Sequence, residues 1–307
     1  MSDLIVHERP ELRSPRLVAA FAGWPDAAET ATRAASILRD RLGARRFAEL
    51  QSEDFHSLTT TRPLTVIRDG RIRALRFPST DFHYWRNPTV PQDLIFVVGV
   101  EPDLQWRRYV GAILDLAQEQ GVVAIYVLGG LYDNVPHTRP VRVSAVVEDS
   151  ALRQRLAEAG IVFSDYEGPC AVHTALLYGS RARRIPSASL WGHAPAYARL
   201  SWNPKVTDAL LRILTSILEV EADLTELRAA ARWLAAALDR LAAQNPQMGT
   251  LIRQLEQDYG PSEGERPAQP PEVSESILRE VEEILRRHEG APEDKDGGQG
   301  DEPGDLG

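Results

Sequence analysis

The chain has one cysteine, Cys170, in 307 residues. No disulfide can form within it, and no cysteine cluster can hold a metal. Lysine is almost as scarce, since all of the 35 basic residues except Lys205 and Lys295 are arginine. This weakens any mechanism that needs a lysine, such as a Schiff base or the lysine contact of a phosphate-binding loop. The 7 histidines include no H-E-x-x-H and no close pair, so no metal site is expected, and nothing calls for a cofactor. No apolar run approaches the roughly 20 residues of a membrane span, and the opening MSDLIVHERPEL has no basic region leading into an apolar core. A cytoplasmic protein without a membrane partner is expected. The formal charge of -9 lacks the basic bias of a nucleic-acid binder; residues 289–307 carry -6 of it, leaving -3 for the rest.

What is present is a chain long enough, at 43% hydrophobic, to bury a large core without cross-links. LVAAFAG (17–23) reads as a strand ending in a glycine turn, and Ala31, Ala34, Ala35 and Leu38 mark a helix over 26–42. LTVIRDGRIRALRF alternates about Asp69-Gly70, which predicts a β-hairpin over 64–77. DLIFVVGV (93–100), a helix with Trp106, Val110, Ile113, Leu114 and Ala117 on one stripe, and VVAIYVL (122–128) form a βαβ unit. Strands at 141–147, 161–163 and 188–194 follow, with helices over 151–160 and 170–183. This alternation predicts an α/β fold with a mostly parallel or mixed sheet flanked by helices.

From Pro204 the pattern is helical only, at 204–220, 223–243 and 246–258. The expected division is an α/β core over 1–203 with a C-terminal helical appendage packed on it over 204–259. A proline-rich linker (260–272), an amphipathic helix (273–288) and a disordered acidic tail (289–307) come after. Ile277, Leu278, Val281, Ile284 and Leu285 give the last helix an apolar stripe that should dock on this chain or on a partner.

Candidate chemistry sits in a few stretches. FAGWPDAAETA places Gly23, Trp24 and Asp26 between a strand and a helix. It lacks the G-x-G-x-x-G spacing of a dinucleotide site, and Asp26 with Glu29 three residues on has the form of a capping box. Trp24 and Asp26 lining a pocket is the alternative. VLGGLYDNVPHTRP breaks an apolar run at Gly129 and Gly130, where open α/β sheets place a ligand crevice, and brings Asp133, Asn134, His137, Thr138 and Arg139 near it. Asp and His there could act as orienter and base with Thr138 as nucleophile; the glycines, Asn134 and two prolines equally describe a shaped turn. No G-x-S-x-G elbow exists. Glu167 and His173 complete the candidate crevice. DFHYWRNP gathers Phe82, Tyr84 and Trp85 beside Arg86, a composition typical of protein interfaces and also of an aromatic strand end over a core.

Taken in order, FAGWPDAAETA, DFHYWRNP, GGLYDNVPHTRP, EGPCAVHTALLYGSRARRIPSASLWGHAPAY and NPKVTDALLRILTSIL resemble the proteasome assembly chaperone two family, in its bacterial branch, over about residues 12–260. SESILREVEEILRRH is similar to the end of actinobacterial-type members. The resemblance implies a phosphorylase/hydrolase-like domain with helical additions that forms a homo-oligomer, a trimer. It also implies a non-enzymatic, chaperone-like protein whose partners are proteasome subunits or another protein client. Relatives that dock through a C-terminal hydrophobic-tyrosine-any motif differ from this chain, which reads EPGDLG there. The rival reading is a hydrolase, or a nucleotide- or nucleoside-binding enzyme or sensor, that uses the strand-end crevice. Geometry separates the two: Asp133 or Glu167 within hydrogen-bond reach of His137 or His173 in a concave pocket favours the enzyme.

Overall fold

A computed structural model describes residues 3–260 of the chain, apart from residues 52 and 148. Nearly all of the expected linker, and the whole of the amphipathic helix and acidic tail, lie outside the described residues. In chain order the first half holds β1 (Leu4–Val6), β2 (Arg16–Ala22), α1 (Thr30–Arg41), β3 (Arg45–Leu50), β4 (Leu64–Arg68), β5 (Arg71–Arg76), β6 (Thr80–Trp85) and β7 (Leu94–Val100). The second half holds α2 (Trp106–Glu119), β8 (Ala124–Asp133), β9 (Val143–Val147), α3 (Ser150–Glu158), β10 (Val162–Phe163), α4 (Val172–Ala182), β11 (Ser187–Pro195), α5 (Pro204–Leu218), α6 (Thr225–Gln244) and α7 (Pro246–Asp258).

The α/β expectation holds. One mixed sheet of 9 strands runs in the order β1-β3-β6-β7-β2-β8-β11-β9-β10. Its centre, β7-β2-β8-β11, is parallel, while β6 pairs antiparallel with β7 and β3, and β9 antiparallel with β11. The parallel strands are continuously apolar because both faces are covered: Leu17 to Phe21 are at most 1% exposed. Helices α1 and α5 cover one face, where Ala31, Ala34, Ala35 and Leu38 pack with Val18, Phe96 and Leu210. Their alanines leave little between α1 and the sheet. Helices α2 and α4 cover the other, through Ile113, Leu114, Val172 and Leu176 against Ala19, Phe21 and Val127. Helices α6 and α7 build a third cluster with Tyr197, Leu200, Leu234, Leu238 and Met248.

The hairpin forms about Asp69-Gly70, whose φ values of 52° and 71° are those a two-residue turn of this hand needs. The edge strand β1 and its neighbour β3 have no period-two pattern in the sequence.

The larger difference is at Gly129-Gly130. The apolar run expected to end there continues as β8 to Asp133, in register with β11 from Ser187↔Ile125 to Pro195↔Asp133. A Cβ on Gly129 would stand 2.6 Å from the Trp191 ring, and one on Gly130 2.9 Å from the Ala27 carbonyl oxygen. The glycines therefore admit neighbours to the strand without ending it. Gly129→Ala should cost about 1–3 kcal/mol in urea denaturation. Pairing it with Trp191→Leu should recover part of that loss, and strictly additive effects would contradict the contact.

Candidate functional site

The carboxyl ends of β2, β7, β8 and β11 meet in one region. After β2 the chain turns through Gly23 (φ 122°), and Gly130 N–H donates to the Pro25 carbonyl at 2.8 Å. Asp26 caps α1, but not through the expected box. Its Oδ1 accepts from the amides of Ala31 (2.7 Å) and Thr32 (3.3 Å), and its Oδ2 from the Thr32 hydroxyl. Glu29 reaches forward to Arg33 at 2.9 Å instead of back to Asp26. The reason lies between them, where Ala28 and Glu29 take φ values of 52° and 45° and close a 3₁₀ turn that lengthens the approach to the helix. Two successive left-handed residues other than glycine are strained, and the Asn203 amide, donating to the Ala28 carbonyl at 3.1 Å, helps to hold them. Burial raises the Asp26 carboxyl above its usual range, against the Thr32 hydrogen bond.

Glu101, which carries no sequence signal, joins three elements at the end of β7. Its Oε1 accepts from the Val172 amide at the start of α4 at 2.8 Å, and the Trp24 amide also donates to its carboxylate. Burial raises its pKa despite these amides. Gly23 lies so close that an added Cβ would touch the Glu101 Cβ at 3.4 Å. The Trp24 backbone is held in this way while its side chain stays 65% exposed.

The loop after β8 is occupied internally. His137 Nδ1 and its backbone amide both contact the Tyr197 hydroxyl at 2.6 Å, and Nε2 meets Asp239 of α6 at 3.1 Å. Thr138 donates to Glu256 of α7, and Lys205 of α5 donates to the carbonyls of His137 and Arg139. Buried but unequally so, the His137 imidazole and Lys205 ammonium both sit below their ordinary pKa values because of desolvation, opposed by Asp239. The loop thus bolts three C-terminal helices to the sheet. A cavity of about 20 Å³ beside it, lined by Val135, His137, His193, Lys205 and Leu234, has room for roughly one water.

Neither Asp133 nor Glu167 meets His137 or His173. Asp133 Oδ2 contacts His193 Nδ1 at 2.8 Å, and His193 Nε2 contacts Ser144 Oγ at 2.8 Å. Burial alone would raise Asp133, but the His193 hydrogen bond, the Asn134 amide and Arg142 hold it below the usual carboxylate range. This series ties β8, β11 and β9 together, and it has the connectivity of a nucleophile, base and orienter. Ser144, the second residue of β9, is 3% exposed. Glu167 lies in the exposed stretch 164–170. Phe82 and Tyr84 are buried edge-on against Phe47, and Trp85 is half-buried, so their aromatic character is explained by packing of β6 on β3. Among the described residues no cluster of three or more His, Cys, Asp and Glu could hold a metal, and no helix is long and apolar enough to cross a membrane.

Known proteins share this architecture. The model of the PAC2 family matches residues 20–242. A PAC2 family protein from Streptomyces avermitilis is 33% identical, with a TM-score of 0.71 over 78% of this chain and 99% of its own. A proteasome-assembly chaperone homologue from Mycobacterium tuberculosis is 30% identical, with a TM-score of 0.71 over 77% and 99%. An archaeal proteasome activator from Pyrococcus furiosus is 26% identical, with a TM-score of 0.62 over 78% and 97%. Comparison with curated proteins returned no match.

His173 lies under the region, 1% exposed between Phe21 and Trp191, with ring centroids 5.9 Å and 4.8 Å away. Neither ring nitrogen has a hydrogen-bond partner, and burial lowers its pKa to about 3. The unfolded chain binds this proton near pH 6.5 and the folded chain only near 3, so the stability present above 6.5 is lost as pH falls between them. The expected loss from this group is about 2 kcal/mol by pH 5. His173→Phe should remove that part of the acid sensitivity, leaving the contributions of His56, His83 and His137, also held below their ordinary pKa by burial, common to both proteins. Parallel melting-temperature profiles from pH 7 to 5 would contradict the assignment.

Proposed function

The chain belongs to the PAC2 family, and on that premise we propose a chaperone-like protein that binds a protein partner at the carboxyl ends of its central strands. The observation that carries this reading is Trp24. Its side chain is 65% exposed on a turn whose backbone is fixed by Glu101 and Gly130, which is how an aromatic anchor is presented at low entropic cost. The polar groups weighed as a base and a nucleophile, His137 and Thr138, are engaged within the fold. The relatives described as a proteasome-assembly chaperone homologue and a proteasome activator support proteasome subunits as the client class. A cytoplasmic homo-oligomer, a trimer, belongs to the same reading.

Trp24→Ala should leave the melting temperature within about 1 °C, because it uncovers no core. The variant should bind the host's proteasome subunits at least about tenfold more weakly than the unaltered chain, as a lost aromatic anchor does. Equal binding by both proteins, or binding by neither, contradicts the reading.

A second reading, hydrolysis, has one observation in its favour: the Ser144–His193–Asp133 connectivity at 2.8 Å and 2.8 Å. The burial of Ser144 argues against it. Covalent labelling by a fluorophosphonate that is abolished in Ser144→Ala would establish the hydrolase. The chaperone reading expects no labelling of the folded protein.

A further inference from the structure

The hairpin β4–β5 projects between β3 and β6 and joins no other sheet. Its register, with Ile67 opposite Ile72 and Thr65 opposite Leu75, sorts its side chains onto two faces. Leu64, Val66, Arg68, Arg71 and Arg76 share one. The other carries Ile67, Ile72 and Leu75, with Phe77 following and Arg73 as the extra residue at the register shift beside Ile72. The four apolar residues are 57%, 71%, 56% and 46% exposed. A lone two-stranded ribbon is marginal in water, and an uncovered apolar face on it is a docking surface or a liability.

Charge and reach identify what covers it. Residues 62–77 hold five arginines and one aspartate, a net +4 in a chain of net -9. Residues 289–307 carry -6, directly after the stripe Ile277, Leu278, Val281, Ile284 and Leu285. None of the hairpin arginines forms an ion pair among the described residues. The last described residue, Gly260, accepts a hydrogen bond from Arg142 Nη2 at 3.2 Å, next to the start of β9. Because β9 is antiparallel to β11 and β6 antiparallel to β7, the start of β9 and the hairpin's base lie at the same end of the sheet. Five strand spacings separate β6 from β9, about 24 Å. Residues 261–272, rich in proline, span about 37 Å when extended.

We propose that residues 273–288 dock their apolar stripe on the Ile67, Ile72, Leu75 and Phe77 face of the same chain, with the acidic residues beyond them against the hairpin arginines.

Amide hydrogen exchange on the full chain tests this. In the unaltered protein the hairpin amides should exchange at least about tenfold more slowly than in the double variant Val281→Asp/Ile284→Asp, with β2 and β8 unchanged. Ile67→Asp/Ile72→Asp should in turn speed exchange over 277–285. Fast hairpin exchange in the unaltered protein overturns the proposal. So does hairpin protection that the 281/284 variant leaves intact, which would mean another surface covers it. Protection that falls on dilution would assign the contact to a neighbouring copy and overturn docking within one chain.

Discussion

Where β8 passes between the Trp191 ring and the turn from β2 into α1, there is room for backbone and not for a β-carbon. Gly129 and Gly130 let both neighbours close in, so the sheet stays paired for three more residues and the turn is fastened to its rim. The left-handed Ala28 and Glu29, the distant cap by Asp26, and the placement of Trp24 all follow from that approach. A backbone this strained persists because its surroundings over-determine it.

The polar side chains around this rim form a distributed set of ties. Glu101 links β7, the β2–α1 turn and α4. His137, Thr138 and Lys205 link the β8 loop to α5, α6 and α7, and Asp133, His193 and Ser144 link three strands. Each group in these ties has a partner within the fold, which is the condition for burying it at small net cost. His173, without a hydrogen-bond partner at either ring nitrogen, is tolerated as a neutral ring between two aromatic neighbours. Toward solvent the rim presents Trp24 together with charged loop residues such as Arg139 and Glu167.

Much of the fold was legible where local patterns repeat. The buried strands β2 and β7, the α2 stripe and the Asp69-Gly70 hairpin each follow from a period that one element imposes on its own residues. β3 was not, because RRFAEL is held by its neighbours β1 and β6 and alternates no differently from a loop. Gly129-Gly130 read as a break because the groups that require them, the Trp191 ring and the Ala27 carbonyl, stand 62 and 103 residues away. Of the candidate site, the turns at Gly23 and Gly130 were found, whereas Glu101, His193 and Ser144 were not: a single polar residue at a strand end shows nothing until its partners, 49 to 71 residues distant, are placed beside it. The loop residues His137 and Thr138 stood out in the sequence as polar groups beside a strand end; the structure shows their side chains tied to α6 and α7.

The claim that this rim recognises a protein is tested most directly by native mass spectrometry of the full chain, isolated gently from its own host. The account predicts a homo-oligomer carrying a second protein at fixed stoichiometry. An oligomer that carries a retained small molecule and no protein would contradict it.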